Sequence, residues 1–331
     1  MADTFRALVI DRAEGEKAQT VEWRDMGADD LMPGAVTVRV RHTTMNYKDA
    51  LAITGKSPVV RRFPMIPGID FAGEVVESDD PGFAPGDEVI LNGWGVGEVH
   101  MGGYAGLARV RAEWLLKRPD GLTGAECMAL GTAGYTAALC VLRLQELGLE
   151  PGAGPVLVTG ASGGVGSVAV SLLSALGHEV AASTGKAEEA EYLRGLGATE
   201  IIDRAELSAP GKPLMKERFA GAVDSVGSTT LANALAQTRY GGAVAACGLA
   251  GGMDLPSSVA PFILRGVTLA GVDSVMAPIP KREAAWRLLS DRMDRAKLTE
   301  ITREASLDEA VDLAPDLLAG KVRGRLLIAV D

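Results

Sequence analysis

The sequence is short of the side chains that bind metals and cross-link chains: its 331 residues include three cysteines and three histidines. Cys127, Cys140 and Cys247 are widely spaced and odd in number, which excludes a disulfide framework and any C-x-x-C metal knuckle. His42, His100 and His178 are equally scattered. Basic residues are outnumbered, 33 against 43 acids, and the formal net charge of −10 argues against a nucleic-acid partner, whose phosphates need a broad basic surface. An anionic small molecule needs only a local basic pocket, and that option stays open. No apolar run reaches the roughly 18 residues that span a bilayer. The opening MADTFRALVIDR is too polar for a signal peptide, and neither a long-period repeat nor a low-complexity tract is found. The expectation is a cytoplasmic enzyme with no membrane segment.

What is present is ordinary globular composition, 47% hydrophobic and 23% charged, with 41 glycines against 16 prolines, so tight turns are frequent. The length implies two domains. Up to about Pro119 short strands alternate with turns: RALVI, AVTVRVRH, GEVVES and DEVILNG, separated by PGIDFAG, DDPGFAPGD and GGYAG. Val36, Val38 and Val40 alternate with Thr37, Arg39 and Arg41, the period of a half-buried strand. After Leu122 a long helical stretch leads, from Pro155, into PVLVTG, EVAAST, TEIID, GAVDSV, GAVAACG and VTLAGVD with helices between them. That is the pattern of a parallel sheet with crossover helices, and strands apolar on both faces, such as VLV, fit a sheet covered on both sides. The fold expected is α/β, a Rossmann-type doubly wound parallel sheet plus a β-rich domain. Beyond about Asp273, two helices (EAAWRLLSDRM, LDEAVDLAPDLLAG) and a strand (RLLIAV) are expected to return to the first domain, because the sheet is already complete. The division expected is therefore 1–124 with 274–331, and 125–273.

The stretch LVTGASGGVGSVAV follows a strand and opens a helix, the context in which a glycine motif binds phosphate. Gly163 and Gly164 let the backbone approach a pyrophosphate, Gly166 lets the helix lie close on the strand, and the helix N-terminus favours the anion. Ala161 stands where the usual fingerprint begins with glycine, which a tight turn tolerates if its φ stays negative. An NAD site places Asp or Glu at the end of the next strand to hold the ribose 2′-OH. Here that strand end offers Ser183, Thr184 and Lys186, while Glu188 and Glu189 lie past the turn, so the cofactor expected is NADPH. Arg204, after the third strand, faces the adenine or the 2′-phosphate, or is a solvated surface arginine.

The β-rich unit, the nucleotide domain and the C-terminal return together resemble the medium-chain dehydrogenase/reductase superfamily over the whole chain, which implies that the first domain is GroES-like. Zinc alcohol dehydrogenases of that superfamily carry a Cys near the start of the first domain and a G-H-E stretch soon after. This sequence has Asn46 in the region of the Cys and PGIDFAG, with Ile69 and Asp70, where G-H-E would fall. The four clustered cysteines of the structural zinc loop are missing too, so no metal is expected. Without a metal to polarise an alcohol, hydride transfer to a C=C bond conjugated to a carbonyl is the expected chemistry, the carbonyl carrying the developing charge.

MNYKDALAITGK, PGIDFAGEVVES, GTAGYTAAL, GASGGVGSVAV, EYLRGLGA and CGLAGGMDLPSSVAPFILRGVTLAGVDSV are together similar to the acrylyl-CoA reductase (NADPH) family, often labelled a quinone oxidoreductase family. The resemblance implies NADPH-dependent reduction of a short 2-enoyl-CoA, acryloyl-CoA to propanoyl-CoA by preference. It puts Asn46 and Tyr47 at the nicotinamide end, with Tyr47 as a proton donor or enolate partner; a tyrosine capping a strand is the plain alternative, and Lys48 with Asp49 reads as an ion pair. It puts Ser162, Gly163, Gly164 and Val165 on the pyrophosphate, Thr184, Gly185, Lys186 and Arg204 on the 2′-phosphate side, and Leu249, Ile263 and Ser274 along the nicotinamide. Lys321, Arg323 and Arg325 near the C-terminus, and Lys56, Arg61 and Arg62 after the N-Y-K-D segment, are the basic candidates for the phosphates of a CoA substrate. Trp94 either walls the site or plugs the β unit. Cys127 and Cys140 read as inert core residues. A homodimer through the edge strand VTLAGVD is a further implication of the family. A quinone or general enone reductase, and a nucleotide-binding protein without turnover, are the other functions in play.

Overall fold

The computed structural model describes residues 4–16 and 18–330. The chain divides into two compact units, Met1–Thr132 with Thr302–Asp331, and Ala133–Ile301.

The N-terminal part of the first unit contains β1 (Phe5–Asp11), β2 (Thr20–Met26), β3 (Val36–Met45), α1 (Tyr47–Thr54), β4 (Asp70–Ser78), β5 (Glu88–Asn92), β6 (Leu107–Val110) and β7 (Leu116–Lys117), and it leads into α2 (Gly124–Glu146). β1 and β2 form an antiparallel pair that the sequence pattern did not reveal, because TVEWRDM is too charged to read as a strand. Val36, Val38 and Val40 point inward as their alternation requires, and pack with Phe71, Val75, Val89, Leu91 and Val110. Thr37 breaks the alternation and is buried as well. The pairing of β3 with β4 slips between Thr37 and Val38, and the Thr37 hydroxyl accepts a bond from Arg109 Nε at 3.2 Å; a bulge turns the side chain inward and that bond satisfies it.

The second unit is built on β8 (Val156–Val158), α3 (Gly164–Ala175), β9 (Val180–Thr184), α4 (Ala190–Leu196), β10 (Glu200–Asp203), α5 (Ala205–Ser208), β11 (Phe219–Asp224), α6 (Ser228–Gln237), β12 (Thr238–Ala246), α7 (Ala260–Arg265), β13 (Thr268–Gly271), α8 (Ile279–Arg292) and α9 (Arg295–Ile301). Its six strands are all parallel in the order β10-β9-β8-β11-β12-β13. This is the doubly wound arrangement in which the strand order reverses between the first and fourth strands, leaving a crevice at their carboxyl ends. Every residue of β8, β9 and β11 is buried, so these strands carry apolar runs rather than alternation.

After this unit the chain forms β14 (Thr302–Ser306), α10 (Ala310–Leu318) and β15 (Arg325–Ala329). β15 pairs antiparallel with β3 and parallel with β14, completing a sheet ordered β14-β15-β3-β4-β5-β7 with β6 also on β3.

The segment 274–301 clusters with the second unit. The reason is α8, which buries Arg282, Ala285, Trp286 and Leu289 and stacks Trp286 on Tyr135 with ring centroids 6.4 Å apart; an amphipathic pattern shows that a helix has a buried face but not which surface covers it. Likewise α2 is long and apolar enough to cross a membrane, contrary to the expectation that no segment is. It is a core helix by its surroundings: 83% of its most apolar stretch is buried in the protein, and its backbone breaks at Gly131 (φ 52°, ψ −160°).

Candidate functional site

The glycine turn lies between β8 and α3. Its left-handed residue is Gly160 (φ 60°), one position before the alanine, so Ala161 needs no positive φ and is fully buried, its N–H bonded to Ser183 O at 3.0 Å. A Cβ on Gly166 would lie 2.3 Å from Gly160 O, so only glycine lets the helix begin this close to the strand. Gly163, Gly164 and Val165 are half-buried at the start of α3, where the first helical N–H groups have no intrahelical acceptor and suit an anion. Ser162 Oγ lies 3.2 Å from Thr184 Oγ1, tying this turn to the end of β9.

The edge beyond β9 carries cations and hydroxyls. Thr184 Oγ1 accepts the Lys186 N–H at 3.2 Å, and Thr184 O accepts the Arg204 N–H at 2.9 Å. The Arg204 side chain is laid over Gly185: a Cβ there would sit within 2.4 Å of Nε and 2.7 Å of Cζ. Glu188 and Glu189 fall in a 3-10 turn past the strand. Lys186 and Arg204 form no ion pair among the described residues.

Across the same carboxyl edge, Asp224 at the end of β11 is fully buried and organises the neighbouring loops. Its carboxylate accepts from Thr159 Oγ1 (2.7 Å) and Gly227 N (2.8 Å), and burial raises its pKa. Leu249, in the loop after β12, and Ile263, on α7, are 59% and 72% exposed, so core packing does not account for Ile263. Ser274 lies in the loop before α8, which buried Arg282 clamps by donating to Ala277 O (2.7 Å), Val275 O (2.6 Å) and Ser274 O (3.3 Å).

In the first unit Asn46 is the N-cap of α1 and Tyr47 its first residue, half exposed. Lys48 does not pair with Asp49, as expected from the sequence, but with Glu98 at 2.8 Å. Asp49 is buried instead and accepts from Asn46 N (2.8 Å), Asn46 Nδ2 (3.1 Å) and Ile69 N (2.9 Å). Burial first, and then the charge of Asp70, push its pKa up to about 7. Asp70, fully buried, accepts from Asn46 Nδ2 (2.9 Å), Asn92 Nδ2 (3.0 Å), Thr132 N (2.7 Å) and Thr132 Oγ1. Arg325 is buried too, and bonds Thr44 Oγ1 (2.7 Å) and Ala129 O (3.0 Å), so it cannot serve a substrate phosphate. With both amide protons of Asn46 turned toward carboxylates, its Oδ1 is left buried and without a hydrogen-bond partner among the described residues.

The remaining candidates stay on the surface. Lys56, Arg61, Arg62 and Arg323 are exposed, and Lys321 is engaged with Asp316 at 2.9 Å. Trp94 packs partly buried against the core of the β unit with φ 56°, a plug rather than a wall. Cys127 and Cys140 are fully buried. Sequence reading missed Asp49, Asp70 and Arg325 as a group because their partners are remote: Thr44 and Arg325 are 281 positions apart. The one local signal was the Asn46–Asp49 spacing of a capping box.

Comparison with known proteins agrees with this architecture. Residues 32–120 match the alcohol dehydrogenase GroES-like domain and residues 164–291 match the zinc-binding dehydrogenase family. The chain is 49% identical over 99% of its length, and 99% of the relative's, to the acrylyl-CoA reductase AcuI of Ruegeria pomeroyi. It superimposes with a TM-score of 0.96 on the yhdH oxidoreductase of Salmonella enterica in complex with NADP, at 48% identity, covering 98% of this chain and all of that one. With yhfP of Bacillus subtilis, solved with NAD bound, the TM-score is 0.94 at 43% identity, covering 99% and 100%. The chain belongs to the acrylyl-CoA reductase family of the medium-chain dehydrogenase/reductase superfamily.

Proposed function

We propose that this protein is an NADPH-dependent reductase of the C=C bond of a short 2-enoyl-CoA, acryloyl-CoA to propanoyl-CoA by preference. The observation that carries the reading is the full-length 49% identity to a chain named acrylyl-CoA reductase. Ala133–Ile301 is the nucleotide-binding domain, and Met1–Thr132 with Thr302–Asp331 is the catalytic one. The pyrophosphate is held by Ser162, Gly163, Gly164 and Val165, the 2′-phosphate by Thr184, Gly185, Lys186 and Arg204, and the nicotinamide by Leu249, Ile263 and Ser274. When bound, NADPH supplies a hydride to the β-carbon. Tyr47, whose hydroxyl has no hydrogen bond among the described residues, protonates the α-carbon or holds the enolate oxygen. Asn46 offers Oδ1 as an acceptor beside it.

Zinc does not fit here. Every carboxylate oxygen of Asp70 already faces N–H or O–H donors, and Asn46 turns its NH2 group toward the cluster. Among the described residues, no group of three or more His, Cys, Asp or Glu can hold a metal. The enzyme is zinc-independent and cytoplasmic, with neither nucleic acid nor membrane as partner.

Arg61 and Arg62 carry the CoA phosphates, which separates this reading from that of a quinone or enone reductase. NADPH oxidation is measured with acryloyl-CoA, crotonyl-CoA and a benzoquinone. Reversing both arginines to Glu raises KM for acryloyl-CoA about tenfold or more, roughly 1.4 kcal/mol, and leaves that for the quinone unchanged. Turnover of the quinone alone favours the alternative, and NADPH binding with no turnover of any of the three favours a non-catalytic protein.

The protein works as a homodimer. β13 ends the parallel sheet with an unpaired edge, and Val259, Leu264 and Met276 are 66%, 62% and 60% exposed in the segments flanking it; a second copy covers both. Light scattering is expected to give twice the 34.4 kDa chain mass, and Leu264→Lys to return it to one. A wild-type protein of single-chain mass at micromolar concentration rules the dimer out.

A further inference from the structure

The buried ionic groups beneath Asn46 have no role in the reaction as derived so far. Asp49 lies on α1, Asp70 on β4 and Arg325 on β15, and all three are at least 97% buried. Burying charges is costly unless each is paired and hydrogen-bonded, so a fold that keeps three of them together gains something specific. The bonds indicate what. The Asn46 amide nitrogen lies between Asp49 Oδ2 and Asp70 Oδ2, and the Asn46 main-chain N–H is held by Asp49 as well. Two acceptors on one side fix which end of the amide is which, and the oxygen is turned the other way, buried and unpartnered.

We propose that Asp49 and Asp70, with Arg325 as their internal counter-cation, form a positioning network that aims Asn46 Oδ1 at a hydrogen-bond donor of the bound ligands, a hydroxyl or an amide N–H. The cation of the network is a buried side chain. Gly131 makes the close approach feasible: a Cβ there would lie 2.5 Å from Arg325 Nη2 and 3.0 Å from Asp70 Oδ2. Asp49 is the adjustable member. The groups facing it are Asp70, Arg325 and Tyr104, the last buried and donating to Thr44 O at 3.2 Å. All three groups that bond Asp49 are donors, so only the carboxylate satisfies them; its protonated form sets a hydrogen against one of them and slackens Asn46. Burial, and then the charge of Asp70, push the pKa of Asp49 up to about 7.

The activity arm of the test rests on the reductase reading, whereas a second arm does not. In wild type, kcat/KM for acryloyl-CoA is expected to rise with an inflection near pH 7. Asp49→Asn sets an amide nitrogen against Asn46 or Ile69 N–H in either orientation; it should lower kcat about tenfold at pH 8, leave the NADPH Kd within about threefold, and flatten the inflection. Wild-type kcat in the variant, or an inflection it still shows, overturns the proposal. The second arm uses infrared spectroscopy of the wild-type protein: the band of a protonated carboxylic acid should disappear as pH rises through about 7, and should be missing from Asp49→Asn if that variant folds. No such band at pH 6 in wild type overturns the proposal whatever the enzyme reduces, and failure to turn over acryloyl-CoA with the band present counts against the reductase reading alone.

Discussion

Reversing the two cations at the end of β9 and β10, Lys186→Glu with Arg204→Glu, is expected to weaken NADPH binding by about a hundredfold while leaving NADH within about threefold. Each charge-assisted hydrogen bond to a phosphate is worth ~1.5–3 kcal/mol, so the loss of two supports that factor. Selectivity follows because the 2′-phosphate is the one group that distinguishes the cofactors, and β9 ends at Thr184, followed by Gly185 and Lys186, with no carboxylate there to claim a free ribose hydroxyl. Gly185 belongs to the same device, since the Arg204 guanidinium lies across it; any side chain there lifts the arginine away. The measurement is a fluorescence titration with each reduced cofactor. Equal losses for NADPH and NADH would show that the reversal acts on the turn as a whole, and would remove the 2′-phosphate from the account. The NAD found in the Bacillus subtilis relative makes this comparison informative within the family.

Gly131→Ala is expected to be strongly destabilising. At φ 52° and ψ −160° the backbone occupies a region open essentially to glycine, which costs another residue ~1–3 kcal/mol. The added carbon also meets Arg325 Nη2, Thr44 Cγ2 and Asp70 Oδ2 at 2.5, 2.8 and 3.0 Å. Moving any of these breaks buried charged hydrogen bonds, so the total loss is estimated at about 3–5 kcal/mol. That corresponds to a fall in Tm on the order of 10 °C for a chain of this size. Gly152→Ala is the control, because its φ of 84° is also left-handed but nothing lies within 4 Å of the new carbon; it should cost about 1 kcal/mol. Thermal unfolding by circular dichroism checks both. A Gly131→Ala protein no less stable than the control shows that the Asp70–Arg325 region yields easily.

The buried charge also predicts how stability changes with pH. Asp49 has its pKa raised from 3.8 in the unfolded chain to about 7 in the folded one. The folded state therefore binds more protons than the unfolded state between those values, and this contribution to stability is present below about pH 4 and lost as pH rises to about 7. Asp49→Asn should remove that component from the wild-type dependence.

The features legible in the sequence were those written locally. The alternation of Val36, Val38 and Val40, the glycines of the turn after β8, the apolar runs of β8 and β11, and the lack of an acid at the end of β9 each depend on residues close together in the chain, and each defines a strand, a helix start or an anion-binding edge. Strands that carry charge, such as β2 and the exposed β14, escaped because pairing with a neighbour, rather than a buried face, makes them strands. The tertiary structure alone decided the rest. It carried α8 to the second unit, withdrew Arg325 from the surface, and joined Asp49 and Asp70 around one asparagine. Aspartate and arginine look like surface residues in one dimension, and only in three does the partner that makes their burial tolerable come within reach.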